Sequence, residues 1–269
     1  MNRVMFSIGN FNIYWYSILI LVSFLVGSLI AMSYTRKTKV EETFIADLIF
    51  YLVPISIIGS RIYYVIFNFN VYKNDILSIF KIWEGGLAIY GGIILSVIFI
   101  YGYCKKKEKS FIQVLDILAP SLILGQAIGR WGNFFNREAY GPITTLAFLH
   151  KLHLPNFIIE NMYINGVYHQ PLFLYESLWC LIGFIILLMI RKRIPKQGTQ
   201  TYFYSLWYGI GRLIIEQFRT DSLYIFNYKI SAIISIILIL IGLGGLLKNK
   251  KNLLNKTKKT VADTETGRI

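Results

Sequence analysis

Residues 111–128 read FIQVLDILAPSLILGQAI, and residues 129–141 read GRWGNFFNREAYG. The first stretch approaches the ~20 residues that a bilayer-spanning helix needs. Only Asp116 and Pro120 interrupt it. The second stretch sets Arg130, Arg137, Asn133, Asn136, Glu138 and three glycines where that helix should be ending. Charge at the edge of hydrocarbon is costly and marks function more often than packing. Glycine lets backbone and ligand approach closely, and asparagine offers donor and acceptor together. The set suits an anionic, hydroxyl-bearing headgroup at a membrane surface. The competing reading is an interfacial helix end with snorkelling side chains.

The chain has 269 residues, of which 55% are hydrophobic, 16% aromatic and only 16% charged. A soluble domain carries about 25% charge. The net charge of +14 suits nucleic acid in principle. The basic residues, however, cluster in short loops and at the C-terminal end, as on the cytoplasmic face of a membrane protein. Cys104 and Cys180 fall far apart, at or inside expected spans, which indicates no disulfide framework. Neither has a plausible base beside it in sequence. No cleavable signal peptide is expected. The first apolar run is long enough to span and is followed by Arg36, Lys37 and Lys39, not by a small-residue cleavage site.

The expected fold is all-α, a polytopic helical membrane protein with about seven transmembrane helices. Spans are expected at about 13–32, 44–67, 87–104, 111–128, 172–190, 202–218 and 225–247. Tyr14-Trp15-Tyr16 opens the first as an interfacial aromatic belt. Residues 142–171 read as an extramembrane excursion with short or interfacial helices, within a membrane domain covering 1–247. Residues 248–269 read as a basic, disordered cytoplasmic tail. Loops one, three and five carry 3, 4 and 4 Lys or Arg, and the tail carries 7. The positive-inside rule then puts the N-terminus outside and the C-terminus in the cytoplasm. Arg130 falls at the outer end of the fourth helix, and Arg212 in the outer half of the sixth. No internal repeat is evident, which weighs against transporters built from duplicated halves.

In the sixth helix Tyr208, Arg212 and Glu216 are spaced i, i+4, i+8, and Arg219 follows. This spacing puts them on one face. Such a stripe belongs against a protein interior or polar cavity, not lipid. Two arginines at similar depth on different helices suit a phosphodiester, because a guanidinium binds two oxygens at once and stays charged. The alternative is an intrahelical Arg212–Glu216 pair used for packing. Arg61, near the end of the second span, either snorkels or binds phosphate.

The stretch 129–141 resembles the motif of the prolipoprotein diacylglyceryl transferase family, Gly-Arg-x-Gly-Asn-Phe-x-Asn-x-Glu-x-x-Gly, with every fixed position present. Tyr208 to Arg219 resembles the family's second block, Tyr-Gly-x-x-Arg-x-x-x-Glu-x-x-Arg. Further matches are Trp15-Tyr16, Gly59 to Tyr64, Gly85-Gly86, Gly91-Gly92, Asp116 with Pro120, and Tyr175-Glu176. The resemblance implies a multi-pass enzyme of the bacterial inner membrane with its site towards the outer leaflet. It implies transfer of the diacylglyceryl group of phosphatidylglycerol to the lipobox cysteine of prolipoprotein signal peptides, with glycerol phosphate leaving. No cofactor, metal or nucleic acid is implied. Arg130 and Arg212 would stabilise the charge growing on the phosphate. Tyr16, Asn133, Asn136 and Glu138 would orient the headgroup. Arg61, Gly141, Tyr208 and Arg219 join the expected substrate-binding set.

One position departs from the family. Its usual His-Gly-Gly is here Tyr90-Gly91-Gly92. A phenol with a pKa near 10 is a poor base at neutral pH. Three explanations stay open. Tyr90 donates the hydrogen bond a histidine would; or Glu216 or the substrate phosphate takes the thiol proton; or the chain is a divergent paralogue. His169 is the one histidine near a matched block, and its place beside a proline favours a structural role. Two other functions compete: a non-catalytic phospholipid binder or transporter, and a phosphatidyl-alcohol transferase. The latter usually needs a metal-binding cluster of aspartates, and near the site the spans hold only Asp116.

Overall fold

A computed structural model describes residues 3–9, 11–193, 196–219, 224–225 and 228–266, with backbone only at 11, 224, 225 and 252–266. In chain order it comprises β1 (Val4–Ile8), β2 (Phe11–Tyr14), α1 (Trp15–Thr35), α2 (Glu42–Phe67), α3 (Phe69–Tyr72) and two 3₁₀ turns, Ile76–Phe80 and Ile82–Glu84. Then come α4 (Ile89–Lys106), α5 (Phe111–Asn136), β3 (Ile143–Thr144), α6 (Leu146–Lys151), α7 (Asn156–Asn161), β4 (Tyr163–Ile164) and β5 (Val167–His169). The chain ends in α8 (Leu172–Lys192), α9 (Thr199–Glu216), β6 (Tyr224–Ile225), β7 (Tyr228–Lys229) and α10 (Ile230–Thr266). Among the described residues, six helices are long and apolar enough to cross a bilayer: α1, α2, α4, α5, α8 and the Ile230–Lys251 part of α10. The protein is therefore a helical, multi-pass membrane protein.

Two features differ from the sequence expectation. Short antiparallel strands appear where an all-α chain was expected, in a β1–β2 hairpin, a β3-β5-β4 sheet and a β6–β7 pair. Pairings of two to five residues are too short to show as alternation. The helix α9 is not among the six apolar helices, because Thr, Gln, Tyr, Arg and Glu replace aliphatic side chains along it. The backbone from Lys248 continues as helix to Thr266, which replaces the expected disordered tail. Lys, Leu and Ala in that stretch are good helix formers.

The chain divides into two compact units, one of residues 31–114 and one of residues 1–30 with 115–269. In the unit 31–114, α2 packs on α4 through glycines. A Cβ on Gly59 would lie 2.6 Å from the Gly91 carbonyl oxygen, and one on Gly92 would lie 2.5 Å from Ser60 Oγ. Small residues at a membrane helix crossing let backbones approach this closely. The Ala88 N–H donates to the Ser60 carbonyl at 3.0 Å, fixing the entry to α4. At the other end, Lys109 lies 2.8 Å from Glu41, and its hydrogen bond draws the Glu41 carboxyl below its ordinary pKa.

In the second unit, α8 and α9 form a hairpin and α10 packs on α9. Cβ atoms on Gly209 or Gly242 would meet the α10 or α9 backbone respectively. The entry to α9 is capped from α5. Asp116 accepts from the N–H of Gly198 at 2.5 Å and from the N–H and hydroxyl of Thr201 at 2.8 and 2.7 Å. The buried aspartate thus satisfies helix-end donors that have no partner within their own helix. The expected excursion is a small folded cap. Leu149, Ile158, Ile159 and Met162 bury themselves against Phe134 of α5 and Phe173 of α8.

Candidate active site

Three helices of the second unit each bring charge to one place. Arg130 comes from the last third of α5, Glu176 from the second turn of α8, and Arg212 and Glu216 from the last turns of α9. Arg130 Nε lies 2.5 Å from Glu176 Oε2, a charge contact in which the N–H is not directed at the oxygen. Arg212 Nη1 lies 3.3 Å from Glu176 Oε1, and Arg212 Nη2 lies 2.7 Å from Glu216 Oε2. The result is an alternating row, Arg130–Glu176–Arg212–Glu216, whose formal charges cancel. Glu216 is 1% exposed, and the row's other members are mostly buried. Buried charges of this kind persist only when paired. The row is not saturated. Among the described residues the terminal nitrogens of Arg130, Nη1 and Nη2, make no hydrogen bond.

The last turns of α5 supply neutral polar groups beside Arg130. The side chains of Asn133, Asn136 and Glu138 make no hydrogen bond among the described residues. The chain turns sharply after Asn136, with Arg137 and Ala139 at positive φ. Arg137 donates to Asn161 at 3.0 Å, and Asn161 donates to the Phe134 carbonyl at 2.7 Å, which holds the turn onto the cap. Tyr16 lies against the same helix. Its ring covers Gly132, where a Cβ would lie 2.5 Å from Cδ2, while Trp15 stacks on Phe135 at 4.9 Å. The motif glycine therefore makes room for Tyr16.

A model of the prolipoprotein diacylglyceryl transferase family matches residues 3–248. The chain belongs to the prolipoprotein diacylglyceryl transferase family. It is 48% identical over 244 residues to the phosphatidylglycerol–prolipoprotein diacylglyceryl transferase of Listeria monocytogenes serotype 4a, which covers 91% of this chain and 88% of the relative. It is 42% identical over 255 residues to the protein of the same name from Pediococcus pentosaceus, covering 94% and 92%. With that of Halalkalibacterium halodurans it shares 44% over 242 residues, covering 90% and 84%.

The family motifs thus meet where α5, α8 and α9 converge, but not every expected site residue does so. Tyr208 stands one turn before Arg212 and stacks on Tyr204, with centroids 5.9 Å apart. Arg219 follows α9, and its N–H lies 3.4 Å from the Glu216 carbonyl oxygen. The neighbouring Thr220 and Asp221 lie outside the described residues. Gly141 has its backbone engaged: its N–H donates to the Gln170 carbonyl at 3.0 Å, and its carbonyl accepts from His169 Nδ1 at 2.8 Å. A carbonyl only accepts, so His169 carries its proton on Nδ1 there and holds the loop.

Arg61 and Tyr90 belong to the unit 31–114. Tyr90 lies in the first turn of α4, half-buried. Arg61 is engaged within its own unit. Arg61 Nε donates to the Ile79 carbonyl at 2.7 Å. Its Nη1 reaches the carbonyls of Gly85 and Gly86 at 2.7 and 3.0 Å, and its Nη2 those of Ser78 and Lys81 at 2.8 and 3.4 Å. All five N–H donors of the guanidinium are engaged by one loop. The residue that sequence reasoning left out of the site is Glu176. A carboxylate four residues inside an apolar span was the available signal.

Proposed function

We propose that this chain transfers the diacylglyceryl group of phosphatidylglycerol to the lipobox cysteine thiol of prolipoproteins, the first step of lipoprotein maturation. The observation that carries the reading is the Arg130–Glu176–Arg212–Glu216 row beside Asn133 and Asn136, whose side chains make no hydrogen bond among the described residues, in a member of this transferase family. The thiol sulfur attacks the glycerol carbon that bears the phosphate. A C–S bond forms, the C–O bond breaks, and glycerol phosphate leaves with the electron pair. The thiol proton ends on the departing phosphate, whose second pKa of about 6 makes it a base near neutral pH.

Nη1 and Nη2 of Arg130 bind two oxygens of that phosphate, a geometry suited to a guanidinium. Arg212 adds a second positive charge, and Glu176 holds both arginines in place from one carboxylate. Stabilising charge as it develops is usually the largest single contribution that protein groups make. Glu216 orients Arg212. Asn133, Asn136, Glu138, Tyr16 and Tyr208 receive the glycerol hydroxyls, and Arg219 raises the local potential. Gly141 shapes the rim of the site. Tyr90 contributes a hydrogen bond from its hydroxyl and does not act as a base.

In the same reading α9 is the seventh span. Its polar stripe faces protein instead of lipid, so low apolarity does not bar it from the membrane. The basic loops put the N-terminus outside, the C-terminus in the cytoplasm, and the site at the outer leaflet. An impermeant thiol reagent added to intact cells should label a cysteine at Asn165, in the β4–β5 turn, on a Cys104- and Cys180-free background; labelling only after lysis would reverse this orientation.

The transfer itself is tested with purified protein, phosphatidylglycerol labelled in its diacylglyceryl part, and a lipobox peptide with one cysteine. Label should reach the peptide, fail with a Cys→Ser peptide, and fail with Arg130→Ala. Absence of transfer by the wild type would overturn the reading. If Tyr90→His then restored it, the chain would be a divergent copy lacking a needed histidine.

A further inference from the structure

Helices α8 and α9 are joined by a contact that is the same from both sides. The Trp179 indole N–H donates to the Trp207 carbonyl at 3.0 Å, and the Trp207 indole N–H donates to the Trp179 carbonyl at 2.9 Å. The rings stack with centroids 4.3 Å apart and planes 17° from parallel. Each indole also covers a glycine of the opposite helix. A Cβ on Gly211 would run into the Trp179 ring, and one on Gly183 into the Trp207 ring. Each tryptophan precedes its own helix's glycine by four residues: Trp179 and Gly183 in α8, Trp207 and Gly211 in α9. Residues four apart share a helix face. The same Trp-x-x-x-Gly face therefore occurs twice, inverted across the hairpin, and closes on itself.

This contact depends steeply on register. An indole N–H shielded from water needs a partner, and each finds one across the hairpin in the observed alignment. Sliding one helix by a turn, about 5.4 Å, would unseat both rings and orphan both donors together. The charged row lies next to it. Glu176 precedes Trp179 by three residues, and Arg212 directly follows Gly211. The Glu176–Arg212 contact, at 3.3 Å, is the longest in the row and the one that crosses from α8 to α9.

We propose that the reciprocal Trp179–Trp207 clamp is a positioning device for the reaction. It fixes the register of α8 against α9 and so holds Glu176 against Arg212. Trp207 is a positioning residue that does not touch substrate. Trp179 also lines an apolar groove with Leu172, Tyr175, Ile215 and Phe218, whereas Trp207 does not. An effect common to both tryptophans therefore isolates the clamp from the groove. The kinetic arm of this proposal rests on the transferase reading; the spectroscopic and binding arms do not.

The test compares Trp179→Phe and Trp207→Phe, which keep a stacking ring and remove one N–H, with Leu187→Ala. Leu187 is fully buried in the packing of the same helices, remote in sequence from the charged row, and calibrates general loss of stability. Four quantities are measured: melting temperature, the excitonic circular-dichroism couplet of stacked indoles, affinity for glycerol phosphate by calorimetry, and kcat and KM for transfer. Both Phe variants should lose the couplet and lower kcat about 10-fold or more, since a misplacement near 1 Å can cost as much as 10²-fold. They should weaken glycerol phosphate and melt no lower than Leu187→Ala. Leu187→Ala should keep the couplet, the affinity and kcat. Phe variants that retain wild-type kcat and affinity, or a Leu187→Ala that loses both equally, would overturn the clamp's role. If the wild type shows the couplet and binds glycerol phosphate but transfers nothing, the transferase reading fails, and the binding comparison alone decides the clamp.

Discussion

Arg61 and Arg130 are both shielded arginines near the ends of apolar helices, and they are satisfied in opposite ways. Arg61 gives all five donors to five carbonyls of the loop 78–86, with the Tyr72 ring 5.1 Å from its centre. Irregular backbone near lipid is tolerated only when its polar groups are satisfied within the protein, and here a single side chain satisfies five. Arg130 instead meets a carboxylate through Nε and makes no hydrogen bond through Nη1 or Nη2 among the described residues. An intramembrane arginine is therefore weak evidence for a ligand site by its identity alone. What separates the two is the number of donors left over once the protein's own acceptors are counted.

The largest effect falls on the arginine with donors to spare. Arg130→Ala should lower kcat/KM by about 10³-fold, roughly 4 kcal/mol, the upper range for removing one preorganised donor at a developing oxyanion. Its melting temperature should also fall, because Glu176 and Glu216 are then left to share Arg212. Arg130→Lys should recover little, because an ammonium cannot bind two oxygens in a fixed fork. Recovery to near wild-type rates with lysine would show that charge alone suffices. Glu176→Gln comes next, at about 10²-fold in kcat. The amide keeps the shape but leaves Arg130 and Arg212 without the carboxylate between them. Equal loss in KM and none in kcat would make Glu176 a binding residue and not an organiser of the arginines.

Arg61→Lys should reverse the pattern. One ammonium cannot reach carbonyls spread over the loop 78–86, so several part-buried acceptors lose their donors, at a cost of about 2 kcal/mol of stability. The measurable signs are a lower melting temperature and faster proteolysis within the loop, with kcat per folded molecule retained. A selective rise in KM for phosphatidylglycerol at unchanged stability would return Arg61 to the substrate.

These contrasts explain what could and could not be read in advance. Arg130 and the Tyr208–Arg212–Glu216 stripe stood out because charge within an apolar run is rare and helical spacing is regular. The packing of helices in pairs is not periodic in sequence. Glu176 was visible as a lone carboxylate, but its place between two arginines depends on α8 meeting α5 and α9. Arg61 was weighed between snorkelling and phosphate because side-chain patterns do not reveal a loop's carbonyls. The six apolar helices were legible by length, whereas α9 shows as a helix without its hydropathy declaring where it lies. The strands of the cap are too short to alternate. The Trp-x-x-x-Gly faces of α8 and α9 are plain in sequence, but nothing in either one says that the other answers it.

The smallest effect is expected at Tyr90, which tests the comparison from the side of the unit that holds Arg61. If Tyr90 were the general base, removing its hydroxyl would cost as much as a proton-transfer group usually contributes, about 10²-fold or more. If it gives one hydrogen bond to a substrate oxygen, Tyr90→Phe should cost about 1 kcal/mol, or about 5-fold in kcat/KM. The pH dependence separates the two without reference to magnitude. A phenol base near pKa 10 would make the rate climb with pH through the alkaline range in the wild type and lose that climb in Tyr90→Phe. A donor predicts profiles of the same shape in both, displaced downward in the variant. Tyr90→His should then stay within a few-fold of wild type, because an imidazole N–H can supply the same bond. A large gain from histidine, with a new inflection near its ordinary pKa, would mean that the proton does pass through position 90 and that the departing phosphate is not its first acceptor.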